Sequence, residues 1–366
     1  MKIAICTNHY APSVGGCELV TRKIAESLHD HDIYVVTRRI PGRKKTDSDS
    51  PKVVEYNPQD PQGFFTKINN INPDLVFIYS DVFDFFRPCV KALAKPRLIV
   101  ALCGANYLYN NRSYALLFHR RSANVEKIVC HSTFDRDYKF CESSFKDKIV
   151  VIPNGVDLPE FDDNQTTRDE ISKKLNLDTG KKWLLNVSNF FPGKGQEHMV
   201  DVVGSFKYLG NFDYIQVSND IEFAVGKQLE NAWQKKVNTR HLSNVQLLKN
   251  LPREDVISLF KHSNVFATTS EKEVAPLVIL ESMAARTPWV SFNVGNVRGL
   301  QGGRFVTCRK DRRYHCVISE RETRLFYQHV SEVMNLPSLG DVGRKQIDRE
   351  MTWDVVLPQY RELFEK

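Results

Sequence analysis

Short apolar runs alternate with amphipathic stretches along the first part of the chain. Residues 2–7 form an apolar run, and residues 17–29 carry apolar side chains at the spacing of a helix. Strands that alternate with helices are typical of parallel βαβ units in a doubly wound sheet. The strands predicted in this part are Lys2–Thr7, Ile33–Thr37, Asp74–Tyr79, Arg97–Leu102 and Lys127–His131.

The alternation stops at a polar stretch, residues 158–167, and then restarts with a helical pattern at residues 168–175. The further predicted strands are Trp183–Ser188, Phe212–Val217, Val245–Leu248, Asn264–Thr268 and Trp289–Asn293. The pattern therefore predicts an α/β protein with two Rossmann-like domains, residues 1–157 and 158–345, that face a cleft. Ligands of such sheets bind at the C-terminal ends of the strands. The sequence contains no Gly-x-Gly-x-x-Gly fingerprint and no Walker A motif, which argues against a dinucleotide cofactor and a P-loop.

Composition indicates a globular protein: 42% of the 366 residues are hydrophobic and 26% are charged. The first apolar run is interrupted by Asn8 and His9 and is too short for a signal peptide. No apolar run approaches the roughly 20 residues that span a bilayer. The eight cysteines are scattered without a Cys-x-x-Cys pair. We therefore expect reduced thiols in a cytoplasmic protein, not a zinc site or a disulfide framework.

The basic excess lies in the first part of the chain. The net charge is +7, and the first 155 residues hold 22 Lys and Arg against 16 Asp and Glu. Clusters such as Arg43-Lys44-Lys45 and Arg120-Arg121 indicate either solvated loops or attraction to an anionic partner. A membrane surface and a nucleic acid both fit that description.

One segment, Glu273-Val-Ala-Pro-Leu-Val-Ile-Leu-Glu281, holds two carboxylates eight residues apart. Glu273 ends a polar loop, whereas Glu281 lies inside an apolar run of helical character and needs a partner if it is buried. Pro276 fits the first turn of that helix, where its missing N–H does no harm. The other N–H groups of the turn attract a phosphate. We therefore expect an anion site flanked by two carboxylates that bind hydroxyls, which suits a diphosphate with a sugar at each end.

This segment resembles the Glu-x7-Glu motif of retaining glycosyltransferases of the family 4 type, which have the GT-B fold. The loop that contains Gly15 and Gly16 is similar to the Pro-x-x-Gly-Gly loop of that family, which borders the donor phosphate and the acceptor. Val151–Asp157 is close to its Ile-Pro-Asn-Gly-Val-Asp signature, and Asn293–Gly303 resembles its glycine-containing loop. Residues 346–366 resemble the final helix of the family, which packs back on the N-terminal domain.

Ser188–Gly195 resembles the Gly-Arg…Lys-Gly loop of the family, whose two cations neutralise the leaving diphosphate. Lys194 matches the second cation, but Asn189 stands where the family has Arg. Either Asn189 serves as a neutral donor, or another cation such as Lys272 or Arg298 compensates.

A second departure follows the strand at residues 97–102. Many members of the family have a His there that contacts the donor sugar, whereas this chain has Cys103. A thiol cannot act as the same donor, and His9 and Asn106 are the alternatives for filling the space on the acceptor and donor-sugar side. We expect His131 to be a structural residue at a strand end.

The resemblance implies transfer of a sugar from a nucleotide-sugar with retention at the anomeric carbon and without a metal. Glu273 and Lys194 are then the catalytic residues: Glu273 binds the transferred sugar and supports positive charge at its anomeric carbon, and Lys194 stabilises the diphosphate. Glu281 accepts hydrogen bonds from the ribose. The residues expected to bind the donor are Gly15, Gly16, Asn189, Val274, Ala275, Leu277 and Glu281.

The donor base and the acceptor stay open at this point. A glycan, polysaccharide or lipid-linked acceptor is favoured, for a cytoplasmic protein with peripheral contact at the inner, anionic membrane surface. DNA that carries a hydroxylated base is an alternative acceptor. A non-catalytic protein that binds nucleotide-sugars is the alternative of a different class.

Overall fold

The computed structural model describes the chain apart from residues 9, 12–14, 40–50, 58–59, 81–95, 104–123, 206–210, 221–223 and 312–314. The chain divides into two compact units. Unit 1 comprises Met1–Gly155 together with Trp353–Lys366, and unit 2 comprises Val156–Thr352.

Unit 1 is built on a seven-stranded sheet in which all pairings are parallel. Its strands are β1 (Lys2–Thr7), β2 (Asp32–Arg38), β3 (Lys52–Tyr56), β4 (Leu75–Ser80), β5 (Arg97–Leu102), β6 (Lys127–Cys130) and β7 (Ile149–Val151). They lie in the order β3-β2-β1-β4-β5-β6-β7. The chain therefore adds strands outward on one side of β1 and then continues on the other side, from β4. The first helices are α1 (Gly16–Ser27), α2 (Pro61–Ile71) and α3 (Arg136–Phe145).

Unit 2 has a six-stranded parallel sheet in the order β10-β9-β8-β11-β12-β13. Its strands are β8 (Lys182–Val187), β9 (Phe212–Ser218), β10 (Val245–Lys249), β11 (Val265–Thr268), β12 (Trp289–Phe292) and β13 (Gly303–Val306). Its helices are α4 (Leu158–Asp162), α5 (Arg168–Leu175), α6 (Gln196–Ser205), α7 (Ala224–Thr239), α8 (Arg253–His262), α9 (Leu277–Ala284), α10 (Glu320–Val333) and α11 (Ser338–Glu350). Local sequence sets some of these boundaries: α5 begins at a capping box in which the side chains of Thr167 and Glu170 bond to each other's backbone N–H.

The chain returns to unit 1 in its last helix, α12 (Trp353–Glu365). The rings of Tyr360 and Phe364 pack on Phe77 of β4, with ring centroids 5.9 and 4.9 Å apart. On the flank of the helix, Arg361 donates to Oδ2 of Asp30 (2.7 Å) and to the carbonyl of Ser27 (2.8 Å). The apolar face of this last helix is therefore buried inside unit 1.

The two parallel sheets confirm the predicted fold class. All ten predicted strands are present with bounds that differ by at most one residue at either end. The sheet strands that were not predicted, β3, β7 and β13, are all outermost strands. Because an edge strand is covered on fewer sides, its sequence is less uniformly apolar and gives a weaker signal.

A small hairpin in unit 2 corrects the expectation for the cysteines. β14 (Arg309–Lys310) pairs antiparallel with β15 (Cys316–Val317), and a disulfide joins Cys308 to Cys316. The hairpin brings together two cysteines whose spacing matches no recognisable motif. The other described cysteines, at positions 6, 17, 103, 130 and 141, are free thiols, as expected.

Candidate functional site

Three loops of unit 2 converge at the C-terminal edge of its sheet. Loop A (residues 188–195) follows β8, loop B (residues 269–276) follows β11, and loop C (residues 293–296) follows β12. These strands are neighbours in the sheet, so their C-terminal ends open on the same side. The sequence motifs are far apart along the chain, and the parallel sheet brings them together.

Loop B is bonded to both of its neighbours. The N–H of Glu271 donates to the carbonyl of Gly193 (2.8 Å), and the hydroxyl of Thr269 donates to the carbonyl of Gly195 (2.7 Å). On the other side, the N–H of Asn296 donates to the carbonyl of Val274 (2.9 Å). The backbone of loop B is therefore held from both sides.

Two of these contacts require glycine. Gly195 has φ +67°, and a Cβ there would lie 2.1 Å from the carbonyl oxygen of Thr269. Gly295 has φ +56°, and a Cβ there would lie 2.2 Å from the carbonyl oxygen of Val274. Both loops can approach loop B this closely only without a side chain.

The two residues predicted to be catalytic are in contact. Nζ of Lys194 in loop A lies 2.7 Å from Oε1 of Glu273 in loop B. The Glu273 side chain is 14% exposed and that of Lys194 is 35% exposed, so the pair is partly shielded but still meets solvent. A lysine has three donors, so Lys194 can hold Glu273 and also face an anionic ligand.

Loop B leads directly into α9, at Leu277. Pro276 is the residue before the helix, with φ −66° and ψ 112°, and not part of its first turn as the sequence suggested. The reason is that the extended ψ of Pro276 delays the start of the helix by one residue. The N–H groups of the first helical residues cannot bond within the helix and form its electropositive end. Val274 and Ala275 therefore lie just before the N-terminus of α9, and Leu277 is its first residue.

Glu281 lies on the buried side of α9 and has the partner that its burial demands. It is 8% exposed, and its Oε1 lies 2.6 Å from an Nη1 of Arg253 at the start of α8. Burial raises the pKa of Glu281, and the charge of Arg253 opposes that rise. Sequence reasoning predicted that a partner was needed but did not find Arg253, which is 28 positions away and follows a different strand.

Asn189 forms hydrogen bonds within unit 2. Its Oδ1 accepts from the N–H of Asn219, which follows β9 (2.9 Å), and its carbonyl accepts from Gln196 (2.8 Å). Asn189 thus connects loop A to the segment that follows β9. Its role as a neutral donor to a ligand stays a prediction. Of the cations suggested to compensate, Lys272 is half-buried in loop B and Arg298 is exposed beyond loop C.

Loop B also holds a carboxylate that the sequence analysis missed. Oε1 of Glu271 lies 3.1 Å from Nε2 of His198 in α6, and Oε2 lies 3.6 Å from Nδ1 of His315. The hydrogen bond from His198 lowers the pKa of Glu271. The N–H of Cys316 donates to the carbonyl of Glu271 (3.0 Å), so the disulfide-bonded hairpin also supports this loop. Neither His lies in a motif, which explains why no pattern pointed to them.

The predicted residues of unit 1 are described in part. Gly15 is the extended residue before α1, and Gly16 begins the helix, so both lie at its N-terminus after β1. The carboxylate of Glu18 sits over Gly15, where a Cβ would lie 2.5 Å from Oε2. His9 and Asn106 lie outside the described residues.

Cys103, which follows β5, contacts the buried imidazole of His131, which follows β6. Its Sγ lies 3.7 Å from Nε2 of His131, and Nδ1 of His131 donates to the carbonyl of Ile152 (3.1 Å). Since Nδ1 carries the hydrogen, Nε2 is an acceptor. Burial raises the pKa of the Cys103 thiol and lowers that of His131, so both are neutral near pH 7. Cys103 therefore donates to the protein itself, and His131 is buried as a strand-end residue.

Among the described residues, one group of three potential metal ligands comes together: Asp30, His31 and Glu365 in unit 1. The guanidinium of Arg361 already bonds to the carboxylates of Asp30 (2.7 Å) and Glu365 (3.0 Å). Both carboxylates of this group are therefore already paired with a cation of the protein. Within the described part of the chain, no helix is both long and apolar enough to cross a bilayer.

Comparison with known proteins supports a glycosyltransferase domain. Residues 167–302 match the family described as Glycosyl transferases group 1. The protein TuaC of Bacillus subtilis (strain 168), described as a candidate teichuronic acid biosynthesis glycosyltransferase, is 25% identical over 181 residues. That alignment covers 50% of this chain and 41% of TuaC, so the chain matches less than half of this relative.

Solved structures show the same fold over the whole chain. Sucrose-phosphate synthase (tll1590) from Thermosynechococcus elongatus has a TM-score of 0.82 at 16% identity, with 99% of this chain and 98% of that chain covered. Anabaena Alr3699/HepE, solved with UDP, has a TM-score of 0.78 at 17% identity, with 100% of both chains covered. Residues 167–302 are therefore similar to the glycosyltransferase group 1 family, and the chain has the GT-B fold.

Proposed function

We propose that this protein is a retaining glycosyltransferase that transfers a sugar from a nucleotide-sugar to an acceptor hydroxyl. The observation that carries the proposal is the contact between Lys194 and Glu273 (2.7 Å) immediately before the N-terminus of α9. A cation, a carboxylate and an electropositive helix end at one sheet edge suit a diphosphate bonded to a sugar.

The roles of these groups follow from the charges that change during transfer. The bond between the anomeric carbon and the phosphate oxygen breaks, and a bond from that carbon to the acceptor oxygen forms. Negative charge then grows on the diphosphate, where Lys194 and the N–H groups that open α9 stabilise it. Positive charge grows at the anomeric carbon, where Glu273 stabilises it. The departing phosphate takes the proton of the acceptor hydroxyl.

Donor recognition is assigned to the other end of the same segment. Glu281 accepts hydrogen bonds from the ribose, and the backbone at Val274, Ala275 and Leu277 lies along the diphosphate. Uridine is the first base to test, because structures of Anabaena Alr3699/HepE contain UDP and UDP-glucose.

The test of donor binding is calorimetry with UDP-, GDP-, ADP- and dTDP-sugars, with Glu281→Ala measured beside the natural protein. One donor class should bind, and Glu281→Ala should weaken it about 10- to 100-fold, because a charged hydrogen-bond acceptor is lost. If no nucleotide-sugar binds, the proposed function is wrong. If Glu281→Ala binds as well as the natural protein, the assignment of Glu281 is wrong.

For the acceptor we propose a saccharide in glycan, polysaccharide or glycolipid assembly. The support is the similarity to TuaC, whose description names teichuronic acid biosynthesis. Incubation of a radiolabelled donor with a polyisoprenyl-linked saccharide, and separately with DNA that carries hydroxymethylated bases, tests this choice. Label is expected in the lipid-linked saccharide, and label in the DNA instead would overturn the acceptor assignment.

A further inference from the structure

Arg253 occupies a position that helix energetics alone does not explain. It is the first residue of α8, where the helix dipole disfavours a cation. The acidic residues of the same turn, Glu254 and Asp255, have the sign that the dipole favours. The reason for an arginine here must therefore lie in what its side chain contacts.

The guanidinium of Arg253 joins two carboxylates from different helices. Its Nη1 lies 2.6 Å from Oε1 of Glu281 in α9, and its Nη2 lies 2.8 Å from Oε2 of Glu160 in α4. Nε also donates to Oε2 of Glu160 (3.1 Å), and the guanidinium lies 5.7 Å from the ring centroid of Phe161. Two bonds to Glu160 fix the plane of the guanidinium, and the third donor is then aimed at Glu281.

Arg253 is the cation that opposes the effect of burial on Glu281. It is 8% exposed, and burial raises its pKa. The charged groups that face it are Arg253 of α8 and Glu160 of α4, and Glu160 has the same sign as Glu281. Arg344 of α11 donates to the carbonyl of Ala284 at the end of α9, but its charge is paired with two aspartates. Without Arg253, burial and Glu160 would both favour the neutral acid.

We propose that Arg253 is a positioning residue for ribose recognition: it keeps Glu281 ionised and directed so that the carboxylate accepts from the ribose hydroxyls of a nucleoside diphosphate. This inference rests on the proposed function, which assigns the ribose to Glu281. A protonated Glu281 would offer a donor to a hydroxyl and lose acceptor strength, so binding would lose its preference for ribose.

The test compares UDP with 2′-deoxy-UDP by calorimetry at pH 7, for the natural protein, Arg253→Gln and Arg253→Lys. If UDP does not bind, GDP or ADP is paired with its own 2′-deoxy form. The natural protein should bind the ribonucleotide about 10-fold or more tightly than the deoxynucleotide, and Arg253→Gln should reduce this ratio toward one. Arg253→Lys keeps the charge and should restore part of the preference.

The pH profile separates a charge effect from a packing effect. In Arg253→Gln the affinity for the ribonucleotide should improve as the pH rises from 6 to 9, because Glu281 then loses its proton and regains its acceptor. The natural protein should change little over this range, since Arg253 already favours the ionised form. A variant that is merely misfolded would not recover its ribose preference at high pH.

Lys174→Gln is the matched control. It removes an ion pair of 2.7 Å to Asp255, which lies on α8 as Arg253 does. It should leave the preference for ribose unchanged. If Arg253→Gln keeps the full preference at every pH, the inference is wrong while nucleotide binding by the natural protein still supports the proposed function. If no ribonucleoside diphosphate binds the natural protein, both fail.

Discussion

At the residue scale, Lys194 and Glu273 form an ion pair with 2.7 Å between Nζ and Oε1. The pair is partly exposed, so it contributes little to stability, as is usual for ion pairs that meet water. The pair therefore matters for the reaction more than for stability, because the ammonium group that orients Glu273 would also bind the diphosphate. This makes Glu273 a residue whose removal should affect turnover far more than folding.

Glu273→Ala is expected to lower turnover about 100- to 1,000-fold, because a preorganised charge beside the reacting carbon is lost. The melting temperature should change by only a few degrees, since Lys194 is exposed enough to regain water. The measurement is transfer at saturating nucleotide-sugar, together with thermal unfolding. Near-normal transfer by this variant would remove Glu273 from the mechanism.

The glycines of loop A provide a second prediction at this scale. Gly195→Ala should lower the free energy of unfolding by roughly 2–5 kcal/mol, because positive φ and a close backbone contact both oppose a side chain. Gly193→Ala is the control: its φ is +86°, but nothing lies within 4 Å of its Cβ position. It should lose only about 1–2 kcal/mol. Equal losses in urea denaturation would show that the contact with Thr269 is not tight.

At the scale of elements, α12 shows how a segment distant in sequence completes a core. Phe364 is fully buried and packs on Phe77 (4.9 Å), and Arg97 donates to its carbonyl (2.5 Å). Since Arg97 also bonds to Glu126 at 2.7 Å, the end of α12 is connected to the start of β5 in unit 1.

Phe364→Ala should therefore destabilise unit 1 by about 3–5 kcal/mol, the cost of truncating a buried aromatic ring. Val355→Ala on the same helix is the control, because Val355 is 36% exposed, and it should cost less than about 1 kcal/mol. Hydrogen exchange read by mass spectrometry can follow the two units separately. Faster exchange in unit 2 and not in unit 1 would contradict the assignment of α12 to unit 1.

At the scale of the whole molecule, the two units differ in how the chain builds them. Unit 2 is one continuous segment whose core contains Trp183, Trp289 and Phe326, all from the same segment. Unit 1 needs both ends of the chain, because α12 supplies part of its interior.

Residues 156–352 alone should therefore fold cooperatively, as the chain segment holds a complete sheet and its own hydrophobic core. Residues 1–155 alone should be aggregation-prone, because the surface that α12 covers would be exposed. Circular dichroism melts and size-exclusion chromatography of the two fragments test this difference. A disordered 156–352 fragment would contradict the independence of unit 2.

The sequence alone determined the parallel α/β fold, because buried central strands such as Arg97–Leu102 must be apolar along their length. It also predicted that Glu273 and Glu281 flank the start of a helix, because a polar loop, a proline and an apolar run leave a local pattern, whereas Lys194 was predicted from the family resemblance. Edge strands such as β13 were missed because their partial cover relaxes that requirement.

Only the tertiary structure decided which groups are partners. Arg253 meets Glu281, His198 meets Glu271, and Cys308 meets Cys316, and none of these contacts follows from spacing. For the first two pairs the physical reason is that a parallel sheet aligns the ends of strands that are distant in sequence, so strand order decides which residues are neighbours. The two cysteines are brought together by the hairpin of β14 and β15. A carboxylate in an apolar run can be predicted to need a partner, but only the fold shows which residue is that partner.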